Sequence, residues 1–396
     1  MFENKSIIIG VSGGIAAYKT AYLVSALSKT EADVNVIMTE NACEFISPLV
    51  FETLTENKCY VDTFDRNFKF DVEHISLAKK ADIFMIAPAT ANVIAKVANG
   101  IADDMLTTTF LASKCKKIVS PAMNTAMFEN QITQDNISKL KKYGIGVVEP
   151  QNGLLACGDT GAGKMPEPDF LFDVIEREIA REKDMLGKKV LVTAGATMES
   201  LDPVRFLTNH SSGKMGFAIA KEAMLRGAEV TVVKANTTAK IPNFVKIVEV
   251  SSAKDMFDAV TALSDQQDII VKAAAVADYT PECYVDSKIK KKDGDLSIPL
   301  KRTKDILKYL GENKREGQFL CGFSMETENM LENSKAKLSK KNADMIVANN
   351  LKDAGSGFKT DTNAVTLITS DGHRSLELKS KAEVAKEIFD EILGLI

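Results

Sequence analysis

A glycine-rich turn near the start of the sequence has the composition of a phosphate-binding loop. It spans residues 10–17, where a short apolar run meets a helical pattern. Gly13 and Gly14 let the backbone approach an anion closely, Ser12 adds a hydroxyl donor, and the helix N-terminus presents free N–H groups. The spacing is not GxGxxG, so a single phosphate, as in FMN, fits better than a pyrophosphate. A tight turn without a ligand explains the same residues equally well.

Two further segments of the first half follow predicted strands, so both point at the same edge of the sheet. Residues 88–92 are small or carry an amide, and they could face a flat ring. The alternative for this segment is a helix cap, with Thr90 as the capping residue. Residues 121–124 end another predicted strand and bring Asn124 to that edge.

His74 and Cys157 are two candidate reactive side chains of this half. His74 is its only histidine, and a lone histidine is more often structural than catalytic. Cys157 lies in residues 156–165, which contain three glycines and have the composition of a mobile lid. A disordered surface turn would have the same composition.

A second anion-binding pattern occurs in the other half of the chain. Ser211, Ser212 and Gly213 precede a helical pattern over 217–226, so they face the N-terminus of the predicted helix. The sequence GxxxxGK[ST] is absent, and the segment is therefore not a P-loop. His210 beside it is interpreted as a loop residue rather than a catalyst.

Small residues and lysines follow a central predicted strand of this half. Residues 273–277 would leave room for a nucleotide, and Asp278 could accept a hydrogen bond from its ribose or base. Residues 288–292 hold four lysines; such a run is usually a solvated face, but beside a polyphosphate it supplies counter-charge. Lys337 and Lys341 are four residues apart and share one face of a helix.

Length and composition limit the classes of protein that can carry these groups. The 396 residues fit two domains of roughly 180–210 residues each. An apolar fraction of 45% allows buried cores, and a dispersed net charge of −4 argues against a nucleic-acid partner. The six cysteines show no zinc-site or disulfide pattern, which favours a reducing compartment. We expect a cytoplasmic protein, because neither a signal peptide nor a membrane span is recognisable.

The candidate site residues lie between predicted strands that alternate with helices. This alternation predicts parallel sheets covered on both faces by helices. In the first half we expect strands at 5–11, 34–38, 81–87, 117–120 and 146–149 and a helix at 15–29. In the second half we expect strands at 190–193, 229–234, 246–250, 268–274, 318–323 and 344–348, an edge hairpin of 364–369 and 375–378, and a last helix at 381–393.

The pattern restarts after a charged helical stretch at 173–184, so the domain boundary is placed near 183–188. The predicted domains are residues 1–186 and 187–396. The fold class is α/β, with two doubly wound, mainly parallel (Rossmann-like) sheets: a flavodoxin-like N-terminal domain and a ribokinase/Rossmann-like C-terminal domain.

Taken together, the motifs of the first half resemble the homo-oligomeric flavin-containing cysteine decarboxylases, in the phosphopantothenoylcysteine decarboxylase branch. The matching segments are 13–19, His74, 88–92, 100–104, 121–124 and the lid around Cys157. Two positions depart from the family pattern: Thr90 stands where Ser is usual, and Lys164 where Arg is usual. Both keep the chemical character, although Lys lacks the forked geometry of Arg.

The resemblance implies a mechanism for this half. FMN oxidises the cysteine Cβ–S unit to a thioaldehyde, which creates an electron sink for loss of CO2, and the reduced flavin then returns the electrons. His74 would act as a base or orient the carboxylate, Asn124 would hold the carboxylate, and Cys157 would protonate the enethiolate. The implied flavin-binding residues are Ser12, Gly13, Gly14, Thr39, Pro88, Thr90, Ala91 and Asn92.

The second half resembles the phosphopantothenate–cysteine ligases over 187–396. The matching segments are 202–205, 209–216, 275–279, 288–291, 322–323 and 348–349. Lys304 replaces a usual Pro, Ala196 a usual Gly, and Met325 a usual small residue. In this family of ligases the carboxylate of 4′-phosphopantothenate attacks CTP, with Mg²⁺ bridging phosphate oxygens, and cysteine displaces CMP from the acyl-cytidylate.

The same resemblance assigns roles in the ligase half. Lys288 would stabilise charge in the first step, and Asn209 would position the acyl-nucleotide intermediate. No protein ligand of the metal is assigned. The implied nucleotide-binding residues are Ala273, Ala274, Ala275, Asp278, Lys288, Asp305, Ile306, Phe323, Lys337 and Lys341.

The order of the two halves supports one pathway, because the ligase product is the decarboxylase substrate. Together they would convert 4′-phosphopantothenate to 4′-phosphopantetheine on the way to coenzyme A, with small molecules as partners and neither nucleic acid nor membrane. A peptidyl-cysteine decarboxylase would leave the second half unexplained, and a non-catalytic flavin-fold regulatory protein should lack His74 or Cys157. The resemblance implies a homo-oligomer with flavin sites at subunit contacts: trimers of the first domain and dimers of the second, combining into a dodecamer.

Overall fold

The computed structural model describes residues 2–64, 72–154, 158, 160–290, 296–326, 329–350 and 360–396. The chain divides into two compact units, Met1–Arg181 and Glu182–Ile396. Each unit is built around its own mainly parallel sheet, and this confirms the predicted α/β class. Among the described helices, none combines the length and the apolar character needed to cross a bilayer.

The first unit contains a six-stranded parallel sheet in the order β3-β2-β1-β4-β5-β6. The order reverses between β1 and β4, which defines the switch point where ligands bind in such sheets. Without the two-residue β3, the order is that of flavodoxin. The strands are β1 Ser6–Val11, β2 Asp33–Met38, β3 Cys59–Tyr60, β4 Ile83–Ala89, β5 Lys116–Pro121 and β6 Gly146–Val147.

Helices cover both faces of this sheet, and a two-stranded antiparallel ribbon follows it. The ribbon consists of β7 Gln151–Leu154 and β8 Thr160–Lys164. The last helix begins at a proline and ends at Ile179, whereas its charged pattern predicts 173–184. The helices are α1 Ala17–Ser28, α2 Glu40–Cys43, α3 Pro48–Thr55, α4 Glu73–Lys80, α5 Ala91–Asn99, α6 Met105–Ala112, α7 Thr125–Glu129, α8 Gln131–Lys142 and α9 Pro168–Ile179.

The ribbon corrects one prediction, because the glycine-rich composition of 156–165 predicts a mobile loop and β8 is a strand. The glycines allow close packing rather than mobility at this point. A Cβ on Gly163, whose φ is +121°, would lie 2.3 Å from the carbonyl oxygen of Met123. The N–H of Met123 donates to Gly163 O at 3.1 Å, so β8 is joined to the loop after β5.

The second unit contains an eight-stranded sheet in the order β13-β12-β9-β14-β17-β18-β20-β21. Its switch point lies between β9 and β14. Three small antiparallel ribbons, β10–β11, β15–β16 and β19–β22, lie outside this sheet. The strands are β9 Lys189–Ala194, β10 Met198–Ser200, β11 Phe206–Thr208, β12 Glu229–Lys234, β13 Lys246–Glu249, β14 Ile269–Lys272, β15 Tyr279–Pro281, β16 Leu300–Arg302, β17 Phe319–Glu326, β18 Met345–Asn350, β19 Thr362–Asn363, β20 Val365–Thr369, β21 His373–Ser375 and β22 Lys379–Ser380.

The predicted edge hairpin is present as β20 and β21, but its second strand begins earlier than the predicted 375–378. The turn closes with a hydrogen bond from Thr369 N to Gly372 O at 3.0 Å. Because the turn is so short, pairing resumes at once, with His373 opposite Ile368. The helices of this unit are α10 Lys214–Leu225, α11 Ala253–Ser264, α12 Ile306–Glu312, α13 Met330–Lys340 and α14 Lys381–Leu395.

Helix α10 begins three residues before the predicted 217 and packs closely on the end of β9. Gly213 precedes it with φ +80°, a conformation that favours glycine. Gly216 lies against the sheet: an added Cβ would be 2.7 Å from the Cβ of Ala194. The N-terminus of α10 is thereby held beside the switch point.

We expect Gly216→Ala to lower the free energy of unfolding by about 1–3 kcal/mol, because its methyl group would overpack the contact with β9. The matched control is Gly394→Ala in α14, where nothing lies within 4 Å of the added methyl group. That change should raise stability by a few tenths to about 1 kcal/mol. Urea unfolding followed by circular dichroism measures both, and equal stability of Gly216→Ala and the wild type would contradict the packing argument.

Candidate active sites

A cavity of about 570 Å³ opens at the switch point of the first sheet. The loops after β1, β4 and β5 contribute to it, together with residues of the ribbon. Its lining includes five of the residues predicted from sequence: Gly13, Gly14, Thr90, Ala91 and Asn124. The other lining residues are largely apolar, namely Ile15, Ala16, Tyr18, Lys19, Ala122, Met123, Met127, Leu154, Gly163, Lys164 and Met165. Such a cavity suits a flat, mostly apolar ring with one charged end.

A buried hydroxyl joins the two loops at the switch point. Ser12 Oγ donates to the carbonyl oxygen of Pro88 at 2.7 Å and accepts from the N–H of Thr90 at 3.0 Å. Ser12 is fully buried and does not line the cavity. Its proton is therefore used within the protein, whereas the sequence pattern predicts a hydroxyl that donates to the ligand.

Thr90 is both a helix cap and a residue of the cavity lining. Its Oγ1 accepts from the N–H of Val93 at 3.4 Å and caps α5, and the same residue lines the cavity. Thr39 likewise caps α2, accepting from Ala42 N at 3.3 Å. Helix α2 lies close to the glycine turn, because a Cβ on Gly13 would be 2.6 Å from that of Asn41.

Several predicted residues of this unit lie elsewhere. Thr39, Pro88 and Asn92 do not line the cavity. His74 is half-buried on α4 and is also absent from the lining. Cys157 lies outside the described residues.

Asn124 is positioned by the helix that it begins. Its Oδ1 accepts from the N–H of Ala126 at 2.8 Å and caps α7.

A buried lysine also lines the cavity: Lys19 Nζ donates to Glu167 at 2.8 Å and to Met165 O at 3.2 Å. The hydrogen bond from Lys19 holds the pKa of the Glu167 carboxyl below its usual range. Lys164 also lines the cavity, so two cations contribute to it.

The second unit has a cavity of about 330 Å³ at the carboxyl ends of its central strands. Four lysines and one carboxylate line it, which gives it a cationic character. Seven predicted residues contribute: Asn209, Ala273, Ala274, Ala275, Asp278, Phe323 and Lys337. The remaining lining residues are Ser211, Ser212, Gly213, Lys214, Met215, Lys272, Val276, Ser324, Met325, Asn349, Asn363 and Lys381.

Backbone and side-chain hydrogen bonds assemble this cavity from distant segments. Thr193 Oγ1 accepts from the N–H of Ala274 at 3.0 Å, which ties β9 to the loop after β14. Asn209 Nδ2 donates to Ala275 O at 3.3 Å. Lys337 Nζ donates to the carbonyl oxygen of Phe323 at 3.0 Å. The alanines at 273–275 thus line the cavity and are held to β9 and to Asn209 by hydrogen bonds.

Lys288 is not brought to this cavity but lines a separate one of about 770 Å³ in the same unit. Its segment is anchored by Asp202, which accepts from Ile289 N at 3.0 Å and from the guanidinium of Arg205 at 2.7 Å. Burial disfavours the charged form of Asp202, but hydrogen bonds from the N–H groups of Ile289, Val204 and Arg205 outweigh it and hold its pKa well below the usual range.

Three further residues predicted to bind the nucleotide do not line this cavity: Asp305, Ile306 and Lys341. Ile306 is buried in the core at the start of α12. Asp305 caps that helix and forms an ion pair with Lys341. Burial disfavours the charged form of Asp305, but the hydrogen bonds from Lys341 and Lys308 N prevail and lower its pKa.

The cavity also contains residues that motif matching did not single out. Lys272 lies within the predicted strand 268–274 and ends the observed β14. A charged residue within a predicted buried strand is a signal that could have found it. Lys214 lies in the matching segment 209–216 but was given no role there, and no local pattern marks Asn363 and Lys381. In the described part of the chain, no group of three or more His, Cys, Asp and Glu side chains is arranged to hold a metal ion.

Two doubly wound sheets, each with a cavity at its switch point, define an α/β protein with two ligand-binding sites. Sequence comparison agrees with this division. The family described as Flavoprotein matches residues 1–180, and the DNA/pantothenate metabolism flavoprotein C-terminal domain matches residues 185–395.

Full-length relatives carry both parts. The coenzyme A biosynthesis bifunctional protein CoaBC of Bacillus subtilis is 46% identical over 399 residues, covering 100% of this chain and 98% of the relative. Its Haemophilus influenzae namesake is 41% identical over 391 residues, covering 99% and 98%. A crystal structure of the C-terminal domain of a CoaBC protein is 46% identical and covers 52% of this chain and 94% of that one, with a TM-score of 0.45.

The chain therefore belongs to the family of bifunctional coenzyme A biosynthesis proteins. This confirms the family and the bifunctional enzyme predicted from sequence. The two alternatives, a peptidyl-cysteine decarboxylase and a regulatory flavin-fold protein, are not favoured.

Ser12→Ala should lower the free energy of unfolding by about 1–3 kcal/mol, because it leaves the carbonyl of Pro88 and the N–H of Thr90 with one partner fewer in a buried place. Ser28→Ala is the matched control, since Ser28 Oγ is buried without a hydrogen-bond partner. Its removal should be neutral or slightly stabilising. Urea unfolding compares the two variants, and an equal loss in both would refute the assigned role of the Ser12 bridge.

Proposed function

We propose that the chain carries out two consecutive steps of coenzyme A biosynthesis. The second unit condenses 4′-phosphopantothenate with cysteine at the expense of CTP, by way of an acyl-cytidylate. The first unit then decarboxylates 4′-phosphopantothenoylcysteine to 4′-phosphopantetheine with FMN. The observation that carries this proposal is the pair of switch-point cavities in a chain whose full-length relatives are named as bifunctional. The domains are residues 1–186 and 187–396.

The residues of the first cavity fit FMN. The glycine turn and the N-terminus of α1 would hold its phosphate, and Thr90, Ala91 and Met123 would lie against its ring. Thr39, Pro88 and Asn92 would support these loops from behind. When bound, FMN supplies the two-electron oxidation and reduction that make loss of CO2 possible.

The protein's own side chains would then handle the carboxylate and the protons. Asn124 begins α7 beside the cavity and would hold the substrate carboxylate by hydrogen bonds. His74 would orient that carboxylate or take up a proton, and Cys157 would return a proton to the enethiolate.

A second copy of the chain would complete this site. His74 lies outside the cavity lining, whereas Ile15, Tyr18 and Met127 line it and remain half or more exposed, at 59%, 53% and 50%. Large apolar side chains exposed at the rim of a ligand cavity are typical of a subunit contact. We therefore propose a homo-oligomer in which a neighbouring subunit brings His74 to the flavin. Trimers of the first unit and dimers of the second would combine into a dodecamer.

The second cavity suits a nucleoside triphosphate. Its lysines would face phosphates, Asp278 would accept from the ribose or base, and Mg²⁺ would enter with the nucleotide by bridging phosphate oxygens. Asn209 is exposed at the cavity and would position the acyl-cytidylate. Lys288 is exposed on the segment held by Asp202 and would stabilise charge as the α-phosphate is attacked. The substrates are small molecules, and we propose the cytoplasm as the location.

The decarboxylase assignment predicts that the purified chain is yellow and releases CO2 from 4′-phosphopantothenoylcysteine. His74→Asn and Cys157→Ser should each slow CO2 release by about 100-fold or more, because a positioned proton-transfer group is lost. CMP formation by the ligase half should not change. His373→Asn, at an exposed position of β21 in the other unit, is the control. Unaltered CO2 release in both variants, or a protein that cannot be reconstituted with flavin, would rule out this assignment.

The ligase assignment predicts that Asn209→Ala and Lys288→Ala each slow formation of CMP from CTP, 4′-phosphopantothenate and cysteine by about 100-fold. The same variants should still decarboxylate 4′-phosphopantothenoylcysteine supplied directly, which controls for folding of the chain. Omission of Mg²⁺ should stop CMP formation but leave CO2 release from that substrate intact. Equal rates with ATP and CTP would contradict the choice of nucleotide.

A further inference from the structure

The last residue of β14 places a lysine at the centre of the second sheet. Residues Ile269–Val271 of this strand are fully buried, and Lys272 pairs in register with Thr193 on one side and Gly322 on the other. Its side chain is half-buried and lines the cavity. Within the described part of the chain, its ammonium group makes neither a hydrogen bond nor an ion pair.

The charged groups around Lys272 do not compensate it. Asp278 and Asp305 face it with opposite charge, and Lys337 and Lys341 face it with like charge. Asp305 is already paired with Lys341, and Lys337 is held by backbone and hydroxyl oxygens. Burial, together with Lys337, lowers the pKa of Lys272 to about 8.

An unpaired, half-buried cation at this place lowers the stability of the free protein. A core strand that ends in a neutral side chain would avoid this cost. Two more lysines and the N-terminus of α10 after Gly213 also line the cavity. Lys214 forms an ion pair with Asp361, and Lys381 donates to the carbonyl oxygen of Thr360. An anion bound between these groups would compensate the charge of Lys272.

We propose that Lys272 binds a phosphate group of the substrate in this cavity. The inference deepens the proposed ligase function and rests on it, since the phosphate belongs either to the nucleotide or to 4′-phosphopantothenate. Lys272 adds a cation to a site for which sequence motifs indicate only Lys288, Lys337 and Lys341.

The test uses isothermal titration calorimetry on the full chain with its flavin. CTP–Mg²⁺ and 4′-phosphopantothenate are titrated separately into the wild type, Lys272→Met, Lys272→Arg and the charge-matched control Lys386→Met, which lies at an exposed position of α14. We expect Lys272→Met to weaken one ligand about 10- to 100-fold, and the ligand affected identifies the source of the phosphate. Lys386→Met should bind both ligands like the wild type.

Two further readouts separate binding from a structural role. Without ligand, Lys272→Met should melt at the wild-type temperature or above, because an unpaired cation has been replaced by an apolar side chain of similar length. The lysine is charged below pH 8 and becomes neutral above it, so wild-type affinity should fall by up to about tenfold per pH unit above that value. Lys272→Arg stays charged and should bind equally well from pH 7.5 to about 9.5.

Unchanged affinity of Lys272→Met for both ligands would overturn the inference while leaving the ligase function in place. So would weaker binding accompanied by a lower melting temperature and no pH dependence, because that combination is a structural defect. A wild-type chain that binds neither ligand would overturn the proposed ligase function itself and, with it, the source of the phosphate.

Discussion

At the switch point of a parallel sheet, two neighbouring strands send the chain to opposite faces, and the crevice between them cannot be filled by the strands' own side chains. Both units of this protein depend on that constraint. In the first, the loops after β1 and β4 are joined by the hydroxyl of Ser12. In the second, Thr193 at the end of β9 accepts from Ala274 beyond β14. In each unit, a hydroxyl at or just after the end of one central strand is hydrogen-bonded to the backbone of the loop that follows the neighbouring strand.

The two crevices differ in chemistry, and their walls account for the difference. Alanines, methionines and a tyrosine are prominent around the first, together with two lysines. Four lysines and a single carboxylate surround the second. Since apolar walls favour flat rings and cationic walls favour polyphosphates, the same kind of sheet presents two chemically different cavities through the residues at its strand ends.

The sequence predicted the buried strands well, because central strands of parallel sheets are continuous apolar runs. Glu229–Lys234 agrees at both ends, and β1 differs from its prediction by one residue. The strand Thr160–Lys164 was predicted wrongly, since its glycines carry no apolar signal and its pairing is set by contact with Met123. Helix ends shifted where a proline or a glycine with positive φ fixed them, as at Gly213.

Among candidate site residues, those on loops directly after central strands were brought together, because topology alone places such loops at one edge. Motifs could not show that Ser12 turns its hydroxyl inward, nor that Lys288 lies in a different cavity from Asn209. Both outcomes depend on contacts between segments distant in sequence. Lys272 was overlooked for another reason: it belongs to no motif, and the one sequence signal, a charged residue within a predicted buried strand, does not show that it lines the cavity beside other lysines.

The carboxylate of Asp202 accepts hydrogen bonds from three donor groups of its own loop, on Val204 and Arg205, and from the N–H of Ile289. The last of these joins the loop after β10 to the segment that carries Lys288. The N–H of Ile289 would have to leave this carboxylate before the segment could move independently of residues 202–205. Burial raises the pKa of Asp202, but its hydrogen bonds lower that pKa by more, so the carboxylate is charged at neutral pH and remains an acceptor for Ile289. The position of the segment that carries Lys288 therefore depends on the loop between β10 and β11.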